Sequence, residues 1–263
     1  MRLWLCIYPY LAPLILAPLA FRLWLDEYQG NLKLVLIVWG LPVLWAYIVP
    51  AIGTNVFKVW EFDVRWRLGR FRPQHGFVFG SATSMLAWLV HGAAANSLAD
   101  GLRMAFILAS VLGFWNLLYD IKALQAGILR VYNQSWAQGQ GEAAVAMDYA
   151  PWFFAGFGAV YGLVIGLAEQ HAAWLSSWPR AGLALAGALL VACAVPTLGY
   201  MASSLRRHGH TGTRPIEPMQ PIQPSHPAQP IQPVQFDQTA LPIRPIEHVQ
   251  PVRPNHHVHG EKP

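Results

Sequence analysis

Six stretches of this chain are long and apolar enough that hydrocarbon, not water, is the solvent they suit. A helix crossing a bilayer needs about 20 mostly apolar residues, because each residue rises about 1.5 Å through a core of about 30 Å. The runs cover residues 3–25, 34–52, 77–95, 104–119, 143–167 and 181–201. The fourth is short, and apolar sequence resumes over residues 121–129. Composition agrees. Only 12% of the 263 residues are charged, against about 25% in an ordinary soluble domain, which leaves too little polar surface to cover a water-exposed globule. Aromatic residues are plentiful, and Trp and Tyr favour the membrane–water boundary. The expected fold class is therefore all-α: a polytopic membrane helix bundle of about six transmembrane helices.

The first run is read as a retained span, not a cleaved leader. It exceeds the length of a leader's apolar region, and a cut after Ala20 would place Pro18 at the −3 position, where a small residue is needed. Prolines such as Pro13, Pro42, Pro50, Pro151 and Pro196 fall in or beside the runs. In a membrane bundle the carbonyls they free find partners on neighbouring groups. Gly158, Gly162 and Gly166 recur every fourth residue and share one helix face. That face suits close backbone contact, expected inside the bundle and not at a dimer seam.

Loop charge sets an expected orientation. Lys58, Arg65, Arg67, Arg70 and Arg72 follow the second run, Lys122 and Arg130 the fourth, and Arg206 and Arg207 the sixth. The alternate loops carry mixed or little charge. Lys and Arg collect on the cytoplasmic side, so both termini are expected there, with the plasma (inner) membrane as the expected host. The same rule accounts for the net charge of +5 and the pI near 9.4. No nucleic-acid motif accompanies them, and nucleic acid is not an expected partner. Cys6 and Cys193 sit in apolar runs without metal-ligand spacing. No cofactor or metal follows from the sequence.

Two units are expected: a bundle over residues 1–205, with an interfacial segment at 54–76 and a cytoplasmic loop at 120–142, and a tail over residues 206–263. In the tail, prolines from Pro215 to Pro233 recur every third residue, the period of a polyproline II helix. Such a segment buries no core and is expected to be a disordered, extended arm. A solvated tether is the favoured reading. A docking arm over residues 213–263 for a protein partner is the other.

Ionisable groups near hydrocarbon are costly, so each raises a functional question. Residues 59–72 alternate polar and apolar, which points to an extended strand on the membrane surface, although Glu61–Arg65 and Asp63–Arg67 would also pair on a helix. Asp120 lies four residues after Asn116, and Asp148 stands near the start of the fifth run. Asn116 and Asp120 share the spacing of part of the metal–diphosphate motifs of intramembrane prenyltransferases, but Leu117 and Leu124 stand where further carboxylates would be needed. No family is recognised. His91, with Asn96 and Ser97 nearby, reads as a hydrogen-bonded bundle histidine better than as a haem ligand.

Topology places His75, Asp120, Lys122, Arg130, Asp148 and the arginine segment on one side of the bundle. Cations beside carboxylates there suit the headgroup of an anionic lipid or isoprenoid. Asp120 and Asp148 are the candidate catalytic residues. Arg65, Arg67, Arg70, Arg130, Lys122 and His75 are the candidate headgroup ligands, and membrane lipids the candidate partners. The competing readings are a non-enzymatic scaffold whose tail recruits a partner, and a small-solute transporter. Placement discriminates among them. The first needs an open, lipid-accessible cavity flanked by these groups, the second fits a solid bundle with Asp148 ion-paired, and the third needs a polar cavity near the midplane.

Overall fold

The computed structural model describes residues 2–217, and these are mostly helical. The polyproline-type tail and the docking arm lie outside the described residues from residue 218 onward. Helices α1 (Arg2–Leu11) and α2 (Ala17–Glu27) form one apolar rod, and α3 (Leu32–Ala51) follows after a short turn. Strand β1 (Trp60–Phe62) precedes α4 (His75–Val90) and the long α5 (Leu98–Gln125). Then come β2 (Leu129–Val131), α6 (Gln134–Ala137), α7 (Glu142–Met147), α8 (Phe157–Gln170) and α9 (Trp178–His208).

Five helical stretches are long and apolar enough to cross a membrane: Leu3–Glu27, Leu32–Val56, Leu98–Gln125, Pro151–Gln170 and Trp178–His208. The third expected run is the exception to the count of six. Its helix, α4, has 16 residues, or about 24 Å at 1.5 Å per residue. It ends at Val90, before His91 and the positive-φ Gly92, and not at residue 95. The fifth run is also divided. A turn at residues 148–149 separates α7 from the helical stretch that leads into Pro151–Gly156.

Three π-helical turns interrupt the spans, each tied to a proline. They cover Ala12–Leu16 around Pro13, Ile52–Val56 after Pro50, and Pro151–Gly156. Proline has no N–H and its ring crowds the carbonyl four residues earlier, so the local ladder shifts register instead of breaking.

The bundle is held by contacts that do not depend on water. Gly158, Gly162 and Gly166 face α5, where a methyl group on Gly162 would stand 2.5 Å from the Met104 carbonyl oxygen and 2.6 Å from Ala105 Cα. The glycine face is thus an internal seam, α5 against α8. Buried aromatic side chains with polar tips add cross-links. Trp45 Nε1 donates to the Ala192 carbonyl at 2.8 Å, Tyr161 Oη to Val38 at 2.9 Å and Trp24 Nε1 to Ser84 at 3.1 Å. Each joins two helices far apart in sequence.

A polar clamp closes the end of the bundle where α2, α4 and α8 finish. His91 is buried, and its Nε2 lies 2.6 Å from Glu169 Oε1. Tyr28 Oη donates to the same oxygen at 2.7 Å, and the Ala95 N–H donates to Oε2 at 2.7 Å. His91 is therefore a hydrogen-bonded bundle histidine.

The other end carries the small elements. β1 and β2 pair antiparallel, Glu61 opposite Arg130, so the extended reading of residues 59–72 holds for its first part and an all-α description needs this ribbon added. The ribbon, Phe71, Ala123 and Val145 form their own apolar cluster beneath the bundle. α9 extends to His208 and is capped by Gly209 at φ 77. The chain then stays packed, with the Ile216 N–H donating to the Tyr132 carbonyl at 3.0 Å.

Gly162→Ala should lower stability by about 1–3 kcal/mol, because backbone on α5 blocks the new methyl. Gly182→Ala, with nothing within 4 Å of the new group, should be neutral. Thermal unfolding of the two variants in detergent checks the contrast.

Candidate functional site

At the ribbon end the helices enclose a cavity of about 780 Å³. Its wall is built mostly of apolar and aromatic side chains, among them Trp45, Phe79, Trp115 and Phe153. Leu190 and Leu198, exposed on the outer surface of α9, also line it, as does Trp115 on α5. The cavity therefore reaches side chains on the lateral surface that lipid would contact. Below, Leu129 and Val131 of β2 and the segment at Gly212 and Thr213 complete it.

The polar groups in this cavity come from several separate places in the chain. Arg72 ends the surface segment, just before α4. Its side chain is 1% exposed. The Nη2 group donates to His75 Nδ1 at 3.0 Å, and the guanidinium lies 4.7 Å from the centre of the Phe62 ring. Nε and Nη1 have no protein partner. A guanidinium only donates, so His75 Nδ1 is an acceptor and the ring is neutral with its proton on Nε2. A buried cation without a carboxylate is unusual, because a charge out of water costs several kcal/mol unless it is paired.

Asp120 lies near the end of α5 and lines the same cavity. Tyr149, in the break between α7 and α8, donates to its Oδ2 at 2.6 Å. Burial and the adjacent Asp120 carboxyl hold the Tyr149 phenol well above the usual value of 10. Asn116 and Tyr119 from α5 and Tyr8 from α1 add further polar tips. The Tyr8 and Tyr119 rings lie 6.0 Å apart.

The remaining sequence candidates lie elsewhere. Asp148 is 3% exposed and does not line the cavity. Arg207 Nη1 reaches it at 2.8 Å and His208 Nε2 at 3.2 Å, while Arg207 Nη2 bonds its carbonyl at 3.0 Å. This ties the end of α9 to the turn that precedes the Pro151–Gln170 helical stretch, an architectural pairing. The two aspartates thus do not share one site. Arg130 is exposed on β2 and meets Asp63 at 2.5 Å and Glu61 at 3.7 Å. Arg70 lies 3.8 Å from Glu61 and sits over the Tyr132 ring. Exposed ion pairs of this kind contribute roughly 0–1 kcal/mol each. Arg65 and Arg67 are exposed and flank Trp66, which is also exposed. Lys122 is exposed and bonds Gln125 at 3.0 Å.

The structure therefore gathers Asp120 and His75 and leaves Arg65, Arg67, Arg70, Arg130, Lys122 and Asp148 outside the cavity. It adds Arg72 and Tyr149, which sequence reasoning did not single out. One signal for Arg72 existed: it is the last cation before the apolar run of α4, and so the basic residue of its segment closest to the hydrocarbon. Tyr149 had no such signal. Among the described residues, no group of three or more His, Cys, Asp or Glu side chains could hold a metal ion.

Asp148→Asn should cost about 1.5–3 kcal/mol, the range for a hydrogen bond to a charged group. It should leave ligand access to the cavity unchanged. Melting in detergent reads the first, and alkylation of the cavity-lining Cys193 reads the second.

No protein-family model, curated protein or solved structure matches this chain. What the cavity can do therefore rests on its own chemistry.

Proposed function

We propose that this is a multi-pass membrane protein that binds an amphiphile with an anionic, phosphate-type headgroup in the cavity beside Arg72. One observation carries the reading: Arg72, a buried guanidinium whose Nε and Nη1 have no protein partner, is among the residues lining an apolar cavity of about 780 Å³. A rotation of the guanidinium out of its sealed packing would let an oxyanion in the cavity meet both nitrogens through charge-assisted hydrogen bonds. The aromatic and aliphatic wall would take the chain of the amphiphile. Volumes of roughly 300–1,000 Å³ are usual for small-molecule sites.

In this reading α4 is a sixth pass, both termini are cytoplasmic and the cavity lies at the cytoplasmic end of the bundle. Loop charge supports that orientation. The plasma (inner) membrane is the proposed host. Asp120, held by the Tyr149 hydroxyl, places a carboxyl next to the headgroup, and His75 supplies a neutral N–H donor. The outer arginines, Arg65 and Arg67 with Trp66, serve the membrane surface instead of the ligand. A docking role for the tail rests on its proline spacing alone. The transporter reading is the weaker one, since the cavity is mostly apolar.

Cys193 gives a direct test. Cys6→Ser leaves Cys193 as the single thiol. In detergent, dioctanoyl phosphatidylglycerol should slow its alkylation by N-ethylmaleimide several-fold. Arg72→Gln should remove that protection. Equal protection with and without Arg72 would rule out the guanidinium as the anion anchor.

A further inference from the structure

Arg72 is the one cation and Asp120 the one carboxyl side chain lining the cavity among the described residues, since His75 is neutral there. The two are complementary, yet the described residues show no ion pair between them. Arg72 spends its single hydrogen bond on His75, and Asp120 accepts from Tyr149 through Oδ2. Among the described residues nothing donates to Asp120 Oδ1. The atom is also not sealed away, unlike Oδ2 of the ion-paired Asp148.

A cation and a carboxyl held apart in an apolar cavity each lack the partner that would favour the charged form. A purely anionic headgroup would relieve Arg72 and repel Asp120. A purely cationic one would do the reverse. A headgroup with an anion and a cation on a short linker would relieve both at once and leave the cavity neutral. Tyr8 and Tyr119 also line the cavity, and aromatic rings attract cations.

We infer that the amphiphile held here is zwitterionic, a phosphate ester carrying a primary ammonium, with Arg72 on the phosphate and Asp120 on the ammonium. This rests on the anion-anchor reading above and narrows it. The phosphate meets the Arg72 guanidinium, which turns from its sealed packing to present Nε and Nη1. The ammonium donates to Asp120 Oδ1, and Tyr149 holds the carboxylate in place from the other oxygen. No net charge enters the low-dielectric space.

The test uses the full-length Cys6→Ser protein in detergent. Protection of Cys193 from N-ethylmaleimide is titrated with dioctanoyl phosphatidylethanolamine and with dioctanoyl phosphatidylglycerol. The ethanolamine lipid should protect at a concentration about tenfold lower or more, the scale of one hydrogen bond to a charged group. Asp120→Asn should erase that preference and keep protection by the glycerol lipid. Arg72→Gln should abolish protection by both. A parent protein that ranks the glycerol lipid equal or better overturns the inference, whatever the variants do. So does a preference that survives in Asp120→Asn. If the ranking is flat but Arg72→Gln still abolishes protection, only the zwitterion falls. If Arg72→Gln changes nothing, the anion anchor falls with it.

Discussion

The bundle obeys one constraint: helices that suit hydrocarbon gain little by hiding apolar faces from one another. They must be held by close approach and by hydrogen bonds made in a dry medium. The α5–α8 seam supplies the approach, because Gly158, Gly162 and Gly166 let backbone meet backbone. Trp24, Trp45 and Tyr161 supply the bonds, each lending a polar tip to a carbonyl on another helix. The same dryness makes every buried charge conspicuous. Glu169 meets it with three donors at one end of the bundle. Asp148 meets it with Arg207 and His208 at the other. Arg72 meets it with a single histidine nitrogen.

That contrast separates architecture from function. Glu169 and Asp148 are tied to groups on other helices, and their bonds fasten the two ends. Asp148 keeps one buried oxygen without a partner, but its other oxygen meets two basic side chains. Arg72 and Asp120 line the same cavity and meet no opposite charge among the described residues, which is what the proposed ligand would supply. The outer pairs among Glu61, Asp63, Arg70 and Arg130 belong to neither class. They decorate the exposed side of the ribbon, where water and salt weaken them.

Much of the architecture was legible along the chain because helix length and hydropathy are local properties. Five of the six apolar runs correspond to helices long enough to cross a membrane. The glycine period pointed to an internal seam, and alternation in residues 59–72 pointed to an extended segment. The shortness of α4 was less legible, since the apolar residues 91–95 continue the run while the backbone has already left the helix at His91. Composition carries no mark of that turn beyond Gly92.

The sequence by itself determined which stretches form helices apolar enough for a membrane and where basic residues gather between them, because each follows from neighbours in the chain. Only the tertiary structure decided which ionisable groups share a cavity. Asp120 and Asp148 look alike in sequence, each an aspartate at the edge of an apolar run. The α9 terminus brings Arg207 and His208 to one and leaves the other facing Tyr149 and open space. Among several arginines in one segment, packing buried Arg72 and left Arg65 and Arg67 outside. Burial and pairing depend on residues distant in the chain, so no local pattern encodes them.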